Sequence, residues 1–172
     1  MADVKLNAGK GYGQVELNNV AFRRDGRIEA QCKLANGIDY VENGMILAVD
    51  NVTRTVGYPA ATSKLFALHY SAEHIYDERT PGLKNFRLDK DTFLPRLGYL
   101  AVGDKFTTNT IVYDDALTLT AGQVGFVMAA DNGYIRVDTA ADGSAIGPVF
   151  EVIEVTTMPD GSPALKLQVV EC

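Results

Sequence analysis

The two histidines are the first side chains whose spacing could suit a metal ion. His69 and His74 lie five residues apart, whereas a zinc-binding helix places two histidines four apart on one face. On a helix, five residues rotate the second side chain by about 140°, at about 100° per residue. On a strand, an odd spacing sends the two side chains to opposite faces. Neither geometry closes a site, so the sequence predicts no bound metal.

Paired carboxylates are the second candidate for chemistry. Asp114 and Asp115 are adjacent, as are Asp77 and Glu78, and glycosidases use two carboxylates across a cleft. Any acidic chain offers such pairs, and we interpret these as solvated loops. A hydrolase that uses Asp114 and Asp115 stays open as an alternative, in which alanine at both positions would abolish an activity.

The sequence contains no recognisable motif for phosphate binding or for nucleophilic catalysis. The segment 9–13 contains three glycines, but a phosphate loop needs a strand before it and a helix N-terminus after it. Here a strand-like run follows the glycines, and the spacing matches no nucleotide-binding fingerprint. No serine lies in a nucleophile elbow, and neither cysteine has a histidine nearby in an obvious motif. We therefore predict a protein that is not an enzyme and uses no cofactor.

Composition narrows the class of protein further. The 172 residues are 47% hydrophobic, enough for one ordinary domain with its own core. The net charge of −6 and the single adjacent basic pair, Arg23-Arg24, disfavour binding to nucleic acid or to an anionic membrane. The first residues lack a signal-peptide pattern, and no apolar run reaches the ~20 residues of a membrane helix. Cys32 lies among alternating apolar residues, which predicts a buried, reduced thiol in a cytoplasmic protein.

Alternation of apolar and polar residues is the strongest local signal. Residues 28–34 alternate with a period of two, which predicts a strand with one buried face. Residues 64–70 are apolar on both faces and predict a central strand, although a short helix within 60–77 remains an alternative. Residues 149–155 contain the doublet Val152-Ile153, which suits a β-bulge.

Turn dipeptides separate these segments. Asp25-Gly26 and Pro159-Asp160-Gly161 each join two strand-like runs and predict hairpins. Such spacing favours a mainly-β fold, either an antiparallel β-sandwich or a barrel, with at most one or two short helices. The glycine-rich start predicts a flexible N-terminal arm over residues 1–14, followed by a single β-rich domain over residues 15–172.

From Asn43 onward the order of strands and turns resembles that of capsid decoration (cement) proteins of tailed bacteriophages with HK97-like heads. The residues that carry this resemblance are Glu42-Asn43-Gly44-Met45-Ile46-Leu47, Leu65-Phe66-Ala67-Leu68-His69-Tyr70-Ser71-Ala72-Glu73, Ile75-Tyr76-Asp77-Glu78, Gly82-Leu83-Lys84-Asn85-Phe86-Arg87-Leu88 and Leu97-Gly98-Tyr99-Leu100-Ala101-Val102-Gly103-Asp104-Lys105-Phe106.

The resemblance implies a structural virion protein that binds the outer surface of a phage capsid. Its partner would be the major capsid protein, and it would form a homo-oligomer, with a trimer favoured. Before assembly it would be in the host bacterial cytoplasm, and after assembly it would lie on the capsid exterior. The arm would become ordered across capsid subunits, and its expected contact residues are Lys5, Leu6, Lys10 and Tyr12.

A second function stays open from the same residues. A carbohydrate- or receptor-binding β-module of a phage head fibre or tail would use exposed aromatic side chains in a shallow site. The chain has no Trp, which often stacks on sugars, so this role would fall to tyrosines. The candidates are Tyr12, Tyr40, Tyr58 and Tyr76.

Overall fold

Strands dominate the fold. A computed structural model describes residues 2–72 and 82–172, and in these residues one short α-helix, α1 (Ala21–Asp25), accompanies sixteen strands. The mainly-β prediction is confirmed. The strands are β1 (Asp3–Lys5), β2 (Val15–Asn19), β3 (Ile28–Glu29), β4 (Lys33–Leu34), β5 (Tyr40–Val41), β6 (Ile46–Asp50), β7 (Thr55–Gly57), β8 (Phe66–His69), β9 (Leu88–Asp89), β10 (Leu97–Gly98), β11 (Lys105–Thr108), β12 (Ile111–Asp114), β13 (Val124–Val127), β14 (Ile135–Asp138), β15 (Val149–Thr157) and β16 (Pro163–Glu171).

The strands form two large sheets and one small one. The eight-stranded sheet has the order β1-β12-β14-β13-β15-β16-β11-β2, and the six-stranded sheet has the order β3-β10-β8-β6-β7-β4. Neighbours are antiparallel except for β12 with β14 and β4 with β7. Strands β5 and β9 pair with each other in a two-stranded sheet. Short 3-10 turns occur at Leu83–Asn85 and Ala129–Asp131.

The two large sheets share a core. Phe106 and Phe150 of the eight-stranded sheet are fully buried, and their rings meet edge to face at 5.7 Å between centroids. Ile46 and Leu68 of the six-stranded sheet belong to the same buried cluster. Face-to-face packing of alternating apolar side chains from two sheets is the architecture of a sandwich.

The predicted central strand and the predicted C-terminal hairpin are confirmed. Strand β8 lies between β10 and β6, so the segment that is apolar on both faces is central. Strands β15 and β16 form a hairpin across Pro159-Asp160-Gly161, and their register shifts between Val152 and Glu154, where a bulge was expected.

The Asp25-Gly26 hairpin prediction is wrong. Residues Ala21–Asp25 form α1 instead, and Gly26 ends it in the left-handed region at φ 70°, with its N–H donating to the Phe22 carbonyl. The reason is tertiary: the helical turn places Phe22 in the core, where its ring lies 5.1 Å from that of Tyr70. Local turn chemistry suits a helix C-cap as well as a hairpin.

The single strand predicted over residues 28–34 is also wrong. This segment is divided between β3 and β4, which lie at opposite edges of the six-stranded sheet. Cys32, between them, is 2% exposed, as predicted for a buried thiol, and Cys172 is an exposed free thiol. Among residues 2–72 and 82–172, no helix has the length and hydropathy that crossing a membrane requires.

Candidate interaction surface

The N-terminal segment lies on the domain. Strand β1 is an edge strand of the eight-stranded sheet and pairs with β12, with Asp3 opposite Asp114, and the Leu6 N–H donates to the Ile111 carbonyl at 3.0 Å. Leu6 is partly buried against the core between the sheets. Residues of the N-terminal segment therefore contact the domain in the structure. The flexibility expected of residues 1–14 is a property of their motion in solution and stays a prediction.

Arg136 clamps the start of this segment. Its guanidinium donates two hydrogen bonds to the Asp3 carboxylate, at 2.9 and 2.7 Å, and further bonds to Asp131 at 2.8 Å. Such forked arginine–carboxylate pairs are charge-assisted and directional. The hydrogen bonds from Arg136 lower the pKa of Asp3.

We expect Asp3→Asn to destabilise the protein by less than about 1 kcal/mol, because the Asp3 side chain is 55% exposed and water screens the pair. Amide hydrogen exchange at Val4 and Leu6, whose N–H groups face β12, should nevertheless accelerate, since the strand at the sheet edge loses its ion pair. Exchange of core amides such as that of Phe150 serves as the internal control. Unchanged exchange at Val4 and Leu6 would show that the ion pair does not hold the strand.

Lys5 is engaged within the molecule. Its ammonium lies 3.9 Å from the centroid of the Tyr134 ring, a cation–π contact. Burial, with the Glu42 carboxylate beside it, raises the pKa of the Tyr134 hydroxyl far above its ordinary value. The buried Glu42 accepts hydrogen bonds from the Gly13 N–H and, at 3.2 Å, from the Asn7 amide.

Tyr12 contacts a different part of the chain from Lys5 and Asn7. Its N–H donates to the Lys84 carbonyl at 2.7 Å, and its ring meets that of Tyr40 at 5.9 Å and 63°. The approach requires glycine at position 11, because φ there is +103° and a Cβ would overlap the Lys84 carbonyl oxygen.

Arg87 joins the two tyrosines. Its guanidinium carbon lies 4.6 Å from the Tyr40 ring centroid and 5.2 Å from that of Tyr12. Its Nε lies 2.7 Å from the Asp89 carboxylate, yet the Arg87 side chain remains 37% exposed. Three contacts thus hold a partly exposed cation in one orientation.

Tyr58 completes the group. Its hydroxyl donates to the Tyr40 carbonyl at 3.3 Å, and burial raises its pKa, which keeps the hydroxyl protonated as a donor. We call Tyr12, Tyr40, Tyr58 and Arg87 the Tyr–Arg cluster. All three tyrosines are partly exposed.

Exposed apolar side chains lie close to Arg87 in sequence. Phe93 is 54% exposed and Leu94 47% exposed, and the Phe93 ring lies 6.3 Å from that of Phe86. Tyrosine and arginine, with other aromatic residues, are enriched in the centres of protein interfaces. The cluster therefore has the composition of a binding surface.

The structure brings some predicted residues together and separates others. Of the four expected contact residues, Tyr12 belongs to the Tyr–Arg cluster and Lys10 is exposed, whereas Lys5 and Leu6 contact the domain itself. Of the tyrosines expected to bind sugar, Tyr40 contacts Tyr12 and Tyr58 contacts Tyr40, whereas Tyr76 lies outside the described residues. No local sequence pattern indicates Arg87, because its role depends on contacts with two tyrosine rings from distant segments.

Both ring nitrogens of His69 make hydrogen bonds. His69 is fully buried, with Nδ1 2.8 Å from the Glu42 carbonyl and Nε2 2.6 Å from the Ser71 hydroxyl. A carbonyl only accepts, so Nδ1 carries the proton and the Ser71 hydroxyl donates to Nε2. Burial lowers the pKa of His69 to about 4. His74 lies outside the described residues.

The predicted carboxylate pairs are placed as follows. Asp114 ends β12, and its Oδ1 accepts the Ala116 N–H at 2.9 Å in a turn, while Asp115 is exposed. Asp77 and Glu78 lie outside the described residues.

Comparison with known protein families, curated proteins and solved structures finds no match to this chain.

Proposed function

We propose that this chain is a structural virion protein that binds the outer surface of a phage capsid and stabilises it without catalysis. The observation that carries the proposal is the Tyr–Arg cluster, in which the partly exposed Arg87 contacts the rings of Tyr12 and Tyr40, and Tyr58 bonds to the Tyr40 carbonyl. We propose that this cluster makes the contact with the major capsid protein.

The geometry of the Tyr–Arg cluster favours affinity for a partner, because its central side chain is already held in place. Arg87 is already held by two rings and by Asp89, so little side-chain freedom is lost when a partner binds. Preorganisation of this kind increases affinity because ordering a long side chain costs about 0.5–1.5 kcal/mol. Tyrosine and arginine are also the residues whose truncation most often weakens an interface.

The choice of a capsid as partner has separate support. The resemblance to decoration proteins includes Gly82–Leu88, the segment that contains Arg87. A shell presents many copies of one surface, and an oligomer that binds several of them gains affinity through effective concentration. Modest contacts at each cluster therefore suffice for firm attachment.

Co-sedimentation with expanded phage shells tests the proposal. We expect Tyr40→Ala and Arg87→Ala each to weaken shell binding about tenfold or more, since both remove a central contact. Lys33→Ala is the matched control, because Lys33 is exposed on β4 of the six-stranded sheet, whereas Tyr40 lies on β5 of the two-stranded sheet. A wild-type chain that stays in the supernatant, or three variants that bind alike, would contradict the proposal.

A second candidate function draws on the same cluster. Three of the tyrosines expected to stack on sugar contact one another in series: Tyr12 packs against Tyr40, and Tyr58 bonds to the Tyr40 carbonyl. This favours a carbohydrate- or receptor-binding module as the alternative. A glycan array separates the two, because specific glycan binding that Tyr40→Ala removes would support the alternative over capsid binding.

A further inference from the structure

Three Asn-Gly pairs occur in the chain, at Asn36-Gly37, Asn43-Gly44 and Asn132-Gly133. In such a pair the backbone nitrogen of the glycine can attack the Cγ of the asparagine side chain, because glycine has no Cβ to obstruct the approach. The attack needs a backbone N–H that no hydrogen bond holds and a peptide group that is free to rotate. The three pairs differ in both respects.

The pair Asn36-Gly37 forms the tip of an exposed turn between β4 and β5. The Ile38 N–H donates to the Ala35 carbonyl at 3.3 Å, and Gly37 has φ +91°, as in the second central position of a type II turn. Both tip residues are exposed, and nothing lies within 4 Å of the position that a Cβ on Gly37 would take. The peptide group between them therefore has room to rotate.

The reacting groups of this turn have no other partner in the part of the chain that the structure describes. Neither the Gly37 N–H nor the Asn36 side chain makes a hydrogen bond there. The ends of the turn are held instead, because the Ala35 N–H donates to the Val56 carbonyl at 2.8 Å and Ile38 is buried. The tip can thus change conformation while the strands on either side stay in place.

The pair Asn43-Gly44 is sealed in the interior. Asn43 is fully buried, and its side-chain amide donates to the Ala72 carbonyl at 2.8 Å. The Gly44 N–H donates to the His69 carbonyl, also at 2.8 Å, and a Cβ on Gly44 would overlap the Thr108 hydroxyl. The nitrogen that would attack is therefore bonded, and its peptide group has no room to rotate.

The pair Asn132-Gly133 is held through its glycine. Asn132 is exposed, but Gly133 is buried, and the Gly133 carbonyl accepts the Ile46 N–H at 2.8 Å. A Cβ on Gly133 would lie 2.7 Å from the Ile46 carbonyl oxygen, so the backbone at this position packs closely against β6. Rotation of this peptide group would require β6 to move.

We propose that Asn36 is a site of spontaneous deamidation in the folded protein. The Gly37 nitrogen gives its proton to hydroxide and bonds to Asn36 Cγ, while the side-chain nitrogen takes up a proton from water and leaves as ammonia. Water then opens the resulting succinimide ring at one of its two carbonyl carbons, which leaves either aspartate or isoaspartate at position 36. In both products an uncharged amide has become a carboxylate, so the chain gains one negative charge.

The position of the turn allows the products to stay folded. Isoaspartate continues the main chain through Cγ, so the backbone of the turn gains one methylene group. The tip is exposed, and its ends are held by β7 and by the core, so the longer turn can bulge into solvent. Reacted chains therefore accumulate as folded protein. This inference goes beyond the proposed function and does not depend on it.

Incubation of the folded chain at mildly alkaline pH tests the site, since hydroxide promotes the attack. We expect ion-exchange chromatography to show a more acidic species that grows with time. Asn36→Gln should lack this species, because glutamine would have to close a larger ring. Mass spectrometry of peptides from an acid protease should place the change of amide to acid at Asn36. Asn43 should react at least about tenfold more slowly, because its reaction waits for local unfolding.

Incubation in guanidinium chloride supplies the matched control. Unfolding removes the burial and the hydrogen bonds that protect the other two pairs, so Asn43 and Asn132 should then react about as fast as Asn36. Circular dichroism before and after the first incubation confirms that the chain stays folded.

Three results would overturn the proposal. They are an Asn36 that stays intact in the folded chain, an Asn43 that reacts in the folded chain as fast as Asn36, and an Asn36→Gln variant that forms the same acidic species. None of them bears on shell binding, which is measured separately by co-sedimentation.

Discussion

Replacing Gly13 with alanine is expected to destabilise the fold by about 3 kcal/mol, at the upper end of what overpacking costs. A Cβ at this position would overlap the Thr110 hydroxyl and lie 2.7 Å from the Asn43 carbonyl oxygen. Neither group can move aside cheaply, because Thr110 Oγ1 donates to that same carbonyl at 2.6 Å and both residues are fully buried.

Urea denaturation measures this effect. Gly143→Ala is the matched control, since nothing lies within 4 Å of the Cβ it would add and the residue is exposed, and its effect should stay within about 0.5 kcal/mol. A Gly13→Ala variant as stable as this control would mean that the N-terminal segment is not docked against Glu42 and Asn43 in solution.

Acidification from about pH 7.5 to pH 5 is expected to cost about 2 kcal/mol of stability through His69 alone. Burial lowers the pKa of folded His69 from 6.5 to about 4. The unfolded chain therefore takes up a proton in this window and the folded chain does not. The contribution is fully present above pH 6.5 and is lost as the pH falls towards 4.

Free energies of unfolding at several pH values, with two variants, isolate this effect. His69→Gln lowers stability at neutral pH, because the Glu42 carbonyl and Ser71 lose their partner, but it should flatten the dependence between pH 7.5 and 5. His74→Ala removes the only other histidine and should keep the wild-type slope. An equal slope in wild type and His69→Gln would refute the assignment.

Carboxylates act in a lower pH window. Hydrogen bonds from Thr53 and Ser144 lower the pKa of Asp50 and Asp142 below the ordinary 3.8. Groups with a lowered pKa stabilise the fold above their unfolded value and lose that contribution only as the pH falls through the folded one. The loss between pH 7.5 and 5 is therefore separable from acid unfolding.

The parts of the fold that sequence reasoning predicted are those in which local and tertiary preferences agree. Strand β8 is apolar on both faces because it lies between two strands and contributes to both buried clusters, Leu68 to one and Ala67 to the other, and residues 64–70 show this directly. The Val152-Ile153 doublet breaks the alternation at the place where an extra residue enters β15. A proline and a glycine frame the hairpin that follows.

The failures come from contacts between distant residues. Asp25-Gly26 ends a helix because Phe22 finds a place beside Tyr70, which no turn rule anticipates. Residues 28–34 alternate as one strand does, yet β3 and β4 pair with different neighbours. Secondary-structure propensity is overruled wherever burial elsewhere is worth more.

The candidate site was predictable only in part. Tyr12, Tyr40 and Tyr58 were identifiable as aromatic residues outside the strongest strand patterns, but not as neighbours. Their meeting depends on the pairing of β5 with β9 and on the docking of the N-terminal segment at Glu42. Glycine-rich composition suggests a free arm, whereas its glycines allow close approach to the domain.

The pairing of Asp3 with Asp114 has a consequence for biosynthesis. A ribosome adds about 5–20 residues per second, so β1 emerges on the order of ten seconds before its neighbour β12 exists. During that interval β1 has no partner strand, so this edge of the eight-stranded sheet cannot form. Such distant pairings slow folding, and we expect the nascent chain to acquire this strand only after most of the protein has been translated.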